Sequence, residues 1–351
     1  MNCCAECFHD TQIQTMIKAN GEIGNCDFCG RESVPIYCVD KQSDLSDLIS
    51  EVLSMYEEAD DGEPLFSLVI NDWGIFKKDL PSSPDLVAVF CSTIYGDDGY
   101  THNKNARIPY DYIEKYGIFS GHSWGEFSDV IKTKNRFCNG YFKADQFVSF
   151  LSYSITKYSR GTEFNRARIC NSSCGYGKEE MGAPPAGKRK PGRVNPEGIG
   201  VLYLTSDERT ALSEVRASAF DLITVGTFRL TKDIKVVNIS GLNNISPMLY
   251  SSGLESLAAN TIVFSDIAKE IAKPLRRNDS PLEYLPTQYI TEFIKSKGYS
   301  GVAYTSTMGT GGDDVAVFDE SLFECTAVHN VEIKKIDYSY DEFVPEAQAD
   351  I

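Results

Sequence analysis

No stretch of the chain approaches the roughly 18 consecutive apolar residues a membrane-spanning helix needs, which argues against a helical anchor. The opening Met1-Asn2-Cys3-Cys4 has neither a basic segment nor an extended apolar core, so a cytoplasmic protein without a secretory leader is expected. Positive charge is scarce: 34 Lys and Arg against 50 Asp and Glu leave a net charge of −16. Such a surface repels phosphate backbones and disfavours broad nucleic-acid binding. There is no internal repeat and no recurring strand–helix unit of the doubly wound kind. The run Gly309-Thr-Gly-Gly312 is too weak to support a nucleotide loop and reads as a turn.

What is present points to two domains or three in 351 residues, with an ordinary globular mixture of 42% hydrophobic and 24% charged residues. The charge is uneven. Residues 40–63 hold nine acids and one base, whereas Lys188, Arg189, Lys190 and Arg193 fall within six residues. That basic spot suits a small phosphorylated ligand or, equally, a solvated loop. Of 11 cysteines, six lie between Cys3 and Cys38 inclusive. Without a leader, a disulfide framework is not expected. Cys4-x2-Cys7 and Cys26-x2-Cys29, separated by the spacer from Phe8 to Asn25, instead have the spacing of a four-coordinate structural zinc site. Cys3 and Cys38 are possible substitutes, and buried free thiols are the plainer alternative. A filled four-thiolate site has no open position, so the metal expected is structural Zn2+.

After a turn-rich start over residues 1–40, apolar residues recur at helical steps over 44–58, where Ser43 or Asp44 could cap and Asp61-Gly62 could stop the helix. Residues 85–94 suit a strand or a buried helix and are broken by Asp97-Asp98-Gly99. Helical patterns follow over 110–116, 124–136 and 143–158. The period then changes. Strands are expected at 164–169, 200–205, 225–230, 234–239, 302–305, 314–318 and 326–336, with helices over 207–219, 253–276 and from Pro286 to Gly298. Residues 171–198 read as a long loop. This places a mostly helical segment over 41–159, an α+β mixed-sheet domain over 160–340 and an acidic tail over 341–351.

One constellation in the second half carries chemistry. A strand bears Arg166, a glycine-permitted turn bears Arg193, the next strand bears Tyr203 and the following helix bears Glu214. A diphosphate calls for planar multidentate cations, which arginine supplies. A nicotinamide ring calls for an aromatic face. Cleaving an N-glycosidic bond builds positive charge on the ribose, which a fixed carboxylate stabilises. Any one of these residues alone is more often a surface ion pair, a core tyrosine or a solvated acid.

Together they resemble the RES family. The pieces are Arg166, Gly192-Arg193-Val194-Asn195-Pro196, Tyr203, Glu214 on the helix that follows, and Gln288 followed by Gly301-Val-Ala-Tyr304-Thr-Ser306. The resemblance covers about residues 160–325. It implies an ADP-ribosyltransferase-like fold and NAD as substrate. It also implies Arg166, Glu214 and Ser306 as the catalytic set, and Arg166, Arg193, Tyr203 and Asn195 as NAD-binding residues. Members are commonly toxins that deplete NAD by hydrolysis or phosphorolysis under a cognate antitoxin or immunity protein. Transfer of ADP-ribose to a protein and a non-catalytic zinc-dependent interaction module are the alternatives. The first half is similar to the HEPN/RES N-terminal domains found fused to RES domains. However, none of His9, His102, His122 and His329 follows an arginine by four to six residues, as HEPN ribonucleases require. Two features depart from the family pattern or blur it. Arg168 competes with Arg166. The insertion 170–190 could be a lid, a docking loop or a disordered excursion.

Overall fold

The computed structural model describes the whole chain except residues 42, 97–103, 138–139, 186, 251–252, 274–279, 309–311 and 337–351. The turn expected at 97–99, most of the Gly309–Gly312 run and the acidic tail lie outside the described residues.

The first half begins with a small antiparallel sheet, β1 (Asn2–Cys4), β3 (Val34–Cys38) and β2 (Ile23–Gly24) in that spatial order, around α1 (Thr11–Ala19). Then come α2 (Asp44–Leu53), β4 (Glu57–Pro64), α3 (Leu65–Asp72), α4 (Ser83–Tyr95), β5 (Asn105–Arg107), α5 (Tyr110–Tyr116), α6 (Trp124–Thr133) and α7 (Ala144–Leu151). Ser43 caps α2, its Oγ accepting from the Ser46 N–H at 3.4 Å. The helix is shorter than its apolar pattern implied, because the acidic run at its end forms a strand. β4 pairs with β5, where Arg107 meets Glu57 and Asp61, each at 2.8 Å, and Lys104 meets Glu58 at 2.7 Å. Asp61-Gly62 therefore lies inside β4 and ends no helix. The 85–94 segment is helix, and 155–158, expected to be helical, is strand.

The second half is built on an eight-stranded mixed sheet in the order β13-β9-β7-β8-β12-β11-β10-β6. These are β6 (Ile155–Tyr158), β7 (Glu163–Ile169), β8 (Leu202–Thr205), β9 (Leu222–Leu230), β10 (Ile234–Asn238), β11 (Gly301–Thr305), β12 (Asp313–Val317) and β13 (Phe323–Glu332). Among the described residues only β10 and β11 pair in parallel. The helices are α8 (Glu208–Glu214), α9 (Leu254–Ala258), α10 (Thr261–Ala272) and α11 (Leu285–Ser296). The α+β mixed sheet expected for this half is present. α8 stops at Glu214 rather than near 219, because Arg216 takes a left-handed backbone (φ +50°) and Asp221 accepts from the Ser218 N–H at 2.7 Å.

Alternation along the strands gives the sheet two apolar faces. On one, Phe164, Leu202, Leu204, Ala303, Val315 and Val317 pack with Met181. On the other, Val302, Tyr304 and Ala316 join a core that runs on into the first half through α10, α11, Phe127, Phe147 and Phe150. Two contacts fix this junction. The fully buried Asn260 at the start of α10 donates to the Tyr116 carbonyl at 2.9 Å and accepts from the Ile118 N–H at 2.8 Å. Tyr289 and Phe293 of α11 stack among Phe127, Phe142 and Phe147 at centroid distances of 4.9–5.9 Å, in the range of favourable edge-to-face pairs.

Candidate functional site

The site arises where the sheet splits. β7 pairs with β9 along its whole length and β8 pairs with β12, but β7 and β8 meet at one position, Asn165 opposite Thr205. Beyond that pair the strands part, and a cavity of about 300 Å³ opens between them, closed at one end by α8. Arg166 stands on one lip and Tyr203 on the other. The Arg166 Nη1 bridges the split by donating to the Tyr203 carbonyl at 3.0 Å. Its Nε is buried and has no partner among the described residues, so it keeps a donor for an anionic ligand. Burial, helped by Arg168, pulls its pKa down to about 10, which leaves it charged at neutral pH. Arg168 turns elsewhere: it lies over the Tyr176 ring at 4.2 Å and donates to the Glu180 carbonyl. Of the two competing arginines, Arg166 is the one at the cavity.

Arg193 enters from the turn 192–196. Its Nη1 donates to the carbonyls of Ile271 and Ala272 at the end of α10, both at 2.9 Å, and its guanidinium lies 5.6 Å from the Tyr304 ring centroid. The turn is held by one face of α11. Gln288 donates to the carbonyls of Gly192 (2.7 Å) and Asn195 (2.9 Å), while Thr287 and Thr291 donate to those of Arg193 and Val194. Gly192 is required by close approach, since a Cβ there would sit 2.7 Å from the Tyr203 hydroxyl. Of the basic spot only Arg193 reaches the cavity; Lys188 and Lys190 are exposed, and Arg189 donates to the Pro184 carbonyl.

Asn195 does not line the cavity. Its amide donates to the carbonyls of Lys190, Pro196 and Ile199, and its Oδ1 accepts from the Tyr203 hydroxyl at 2.8 Å. It shapes the turn. Tyr203 lines the cavity with its hydroxyl already engaged, and burial pushes that hydroxyl's pKa up. Glu214, the last residue of α8, also lines it, and its Oε1 accepts from Ser306 Oγ at 2.6 Å, a short charge-assisted bond. Five expected residues, Arg166, Arg193, Tyr203, Glu214 and Ser306, thus converge from separate strands, turns and a helix spread between positions 166 and 306 of the chain.

Two lining residues carried no role in the sequence reading. Tyr304 is fully buried against Arg193. Asp314 faces Glu214, and its pKa is pushed up to about 8, first by burial and then by the charge and hydrogen bonding of Glu214. An acid on the inward phase of an apolar strand was the available signal. The insertion 170–190 is no lid: none of its described residues lines the cavity. Met181 is buried in the opposite face of the sheet, the Tyr176 N–H donates to Thr224 Oγ1 at 2.9 Å, and the Ala183 N–H donates to Glu320 at 2.8 Å.

Residues 167–341 match the family model described as RES domain. The match begins one residue after Arg166 and includes every other cavity residue named above except Asn165. No curated protein matches the sequence. Among solved structures, the crystal structure of the M. tuberculosis MbcT–MbcA toxin–antitoxin complex is similar at 13% identity, over 53% of this chain and 91% of that one, with a TM-score of 0.31. The matched residues supply most of the sheet around the cavity, and helices of the first half back it. Among the described residues no helix is long and apolar enough to cross a membrane.

A second cluster lies apart from the residues that match the RES model. The sulfurs of Cys4, Cys7, Cys26 and Cys29 all fall within 4.8 Å of one another, with Cys4–Cys29 and Cys7–Cys26 at 3.4 Å and Cys4–Cys7 at 3.9 Å. Four thiolates about 2.3 Å from a tetrahedral zinc would stand roughly 3.8 Å apart, so the set fits. Gly30, at φ +71°, makes the turn after the second pair. Cys3 and Cys38 are outside the cluster; Cys38 donates to Asp40 instead.

Proposed function

We propose that this protein is a toxin-like enzyme that cleaves the nicotinamide N-glycosidic bond of NAD, by hydrolysis or phosphorolysis. The observation that carries the reading is the Ser306–Glu214 bond at 2.6 Å on the wall of a cavity that also holds two half-buried arginines. Arg166 and Arg193 hold the diphosphate, and Tyr203 stacks on the nicotinamide or its ribose. Glu214, steadied by Ser306, orients the ribose and stabilises the cation that forms as the bond to nicotinamide breaks. Water or phosphate then adds to the anomeric carbon, so the products are nicotinamide with ADP-ribose or its 1″-phosphate.

The cysteine cluster supports a structural Zn2+ site that ties together the two ends of the segment 1–40. In this reading residues 1–40 are a zinc-binding start, 41–159 a helical HEPN/RES N-terminal-type domain and 160–340 the RES domain, working in the cytoplasm. An enzyme that drains NAD needs restraint in its own cell, and a cognate antitoxin or immunity protein is the partner proposed.

The test is NAD consumption by the purified chain, with and without phosphate, with products identified by chromatography. Glu214→Gln should lower the rate by on the order of 10²–10³-fold with an unchanged circular dichroism spectrum. Full activity in that variant would remove the site assignment. Labelled ADP-ribose appearing on protein, with no free product, would favour transfer to a protein acceptor.

A further inference from the structure

The mechanism above leaves one buried carboxyl group of the cavity unused. Asp314 lies on β12, opposite Thr205 on β8 and Tyr304 on β11, and is 4% exposed. It lines the same cavity as Arg166, Arg193 and Glu214. Its Oδ2 is buried without a hydrogen-bond partner among the described residues, a costly setting for a charged oxygen and a tolerable one for a neutral acid. Glu214 faces it from α8. Two carboxylates this near in a buried cavity repel strongly if both ionise, so one keeps its proton.

The identity of the proton holder follows from the partners. Glu214 is engaged by the Ser306 hydroxyl, whereas among the described residues no hydrogen bond reaches the buried Oδ2 of Asp314. Around Asp314 stand Glu214 from α8, Arg193 from the turn, Arg166 from β7, Tyr203 from β8, Tyr304 from β11 and Asp313 on its own strand. Burial, Glu214 and Asp313 oppose its ionisation, and Arg193 only partly offsets them.

We propose that Asp314 is a positioning residue of this site: a neutral acid that, with Ser306, holds the Glu214 carboxylate in place and leaves the cavity positively charged for an anionic dinucleotide. The identity of the dinucleotide rests on the NAD reading above; the retained proton rests on the cavity alone. With Asp314 neutral, Arg166 and Arg193 outweigh Glu214 by one charge. Once Asp314 ionises, the four groups sum to zero and the pull on a diphosphate weakens.

Two measurements test this on the full chain. The first is the pH profile of NAD consumption for wild type, Asp314→Asn and Asp314→Ala. In wild type KM for NAD should rise on the order of tenfold as pH passes about 8. Asp314→Asn, whose amide donates without a proton to lose, should flatten that rise. Asp314→Ala should lower kcat at every pH. An Asn variant that keeps the wild-type rise would overturn the proposal.

The second is thermal melting against pH without NAD. Below the ordinary carboxylate pKa both folded and unfolded chains hold the Asp314 proton. Between that value and about 8 only the folded chain does, so stability must fall as pH rises. The melting temperature of wild type should therefore drop relative to Asp314→Asn across pH 5–8 and run parallel above. Curves parallel throughout would sink the neutral acid. Divergent curves in a protein that consumes no NAD would keep the acid and remove the substrate reading.

Discussion

The cysteine cluster and the cavity in the sheet of the second half are built in opposite ways. In the first, four like side chains from two short knuckles, all within residues 4–29, converge on one point. In the second, unlike groups from residues 165–314 surround an empty space held open by a split in the sheet. A metal site is symmetrical and local, so spacing alone encodes it. A cavity needs its walls held apart, and that work falls on residues that touch no ligand. Gln288, Asn195 and Gly192 shape the turn that carries Arg193, and α11 rests on aromatic rings of the first half.

The contrast predicts that damage to the first region is structural and damage to the second is chemical, except where the shared core connects them. The largest expected effect is at the cysteine cluster. Metal analysis of the purified chain should give one zinc per molecule, and Cys26→Ser should cost more than about 4 kcal/mol, the range in which loss of a bound metal falls. A zinc-free protein of undiminished stability would remove the metal. Next comes the junction. Phe127, fully buried between Phe119 and Tyr289, should cost about 3–5 kcal/mol on truncation to Ala. Because the core is continuous, the melting transition should shift as a whole; two separated transitions would show that the halves unfold independently. The smallest effect is Gln288→Met, which keeps the volume and takes the side-chain donor from the Gly192 carbonyl, while the Asn195 carbonyl keeps the Gly192 N–H. It should cost about 1–3 kcal/mol and raise KM for NAD by loosening Arg193. An unchanged KM would mean that the turn is rigid without α11.

Much of this was legible in advance. The four clustered cysteines, a cap at Ser43 or Asp44, of which Ser43 is the one observed, and most strands of the second half follow from spacing and period. The failures have physical reasons. Residues 57–64 looked like the end of a helix because their acids fit any solvated surface; Arg107, on a strand well beyond Glu63 in the chain, makes them a strand. The strand at 155–158 continued a helical apolar pattern, and only the free edge of β10 decides against it. Arg168 competed with Arg166, which fitted the motif better, and it is Arg166 that lines the cavity where β7 leaves β8. Asn195 sits in the right motif but serves the turn. Asp314 was passed over although it stands on the inward phase of an apolar strand, because a single acid there does not say what it faces.

The sequence by itself determined the cysteine knuckles, the change of period near residue 160 and the set of arginines, tyrosine, glutamate and serine on which the RES reading rests. These are statements about residue type and near-neighbour spacing, and the chain states them directly. Tertiary structure alone decided which arginine lines the cavity, that the insertion covers the far face of the sheet, and that Glu214 has a carboxyl neighbour. Each depends on which strands part and which pair, a matter of contacts between residues far apart in the chain that no local pattern carries.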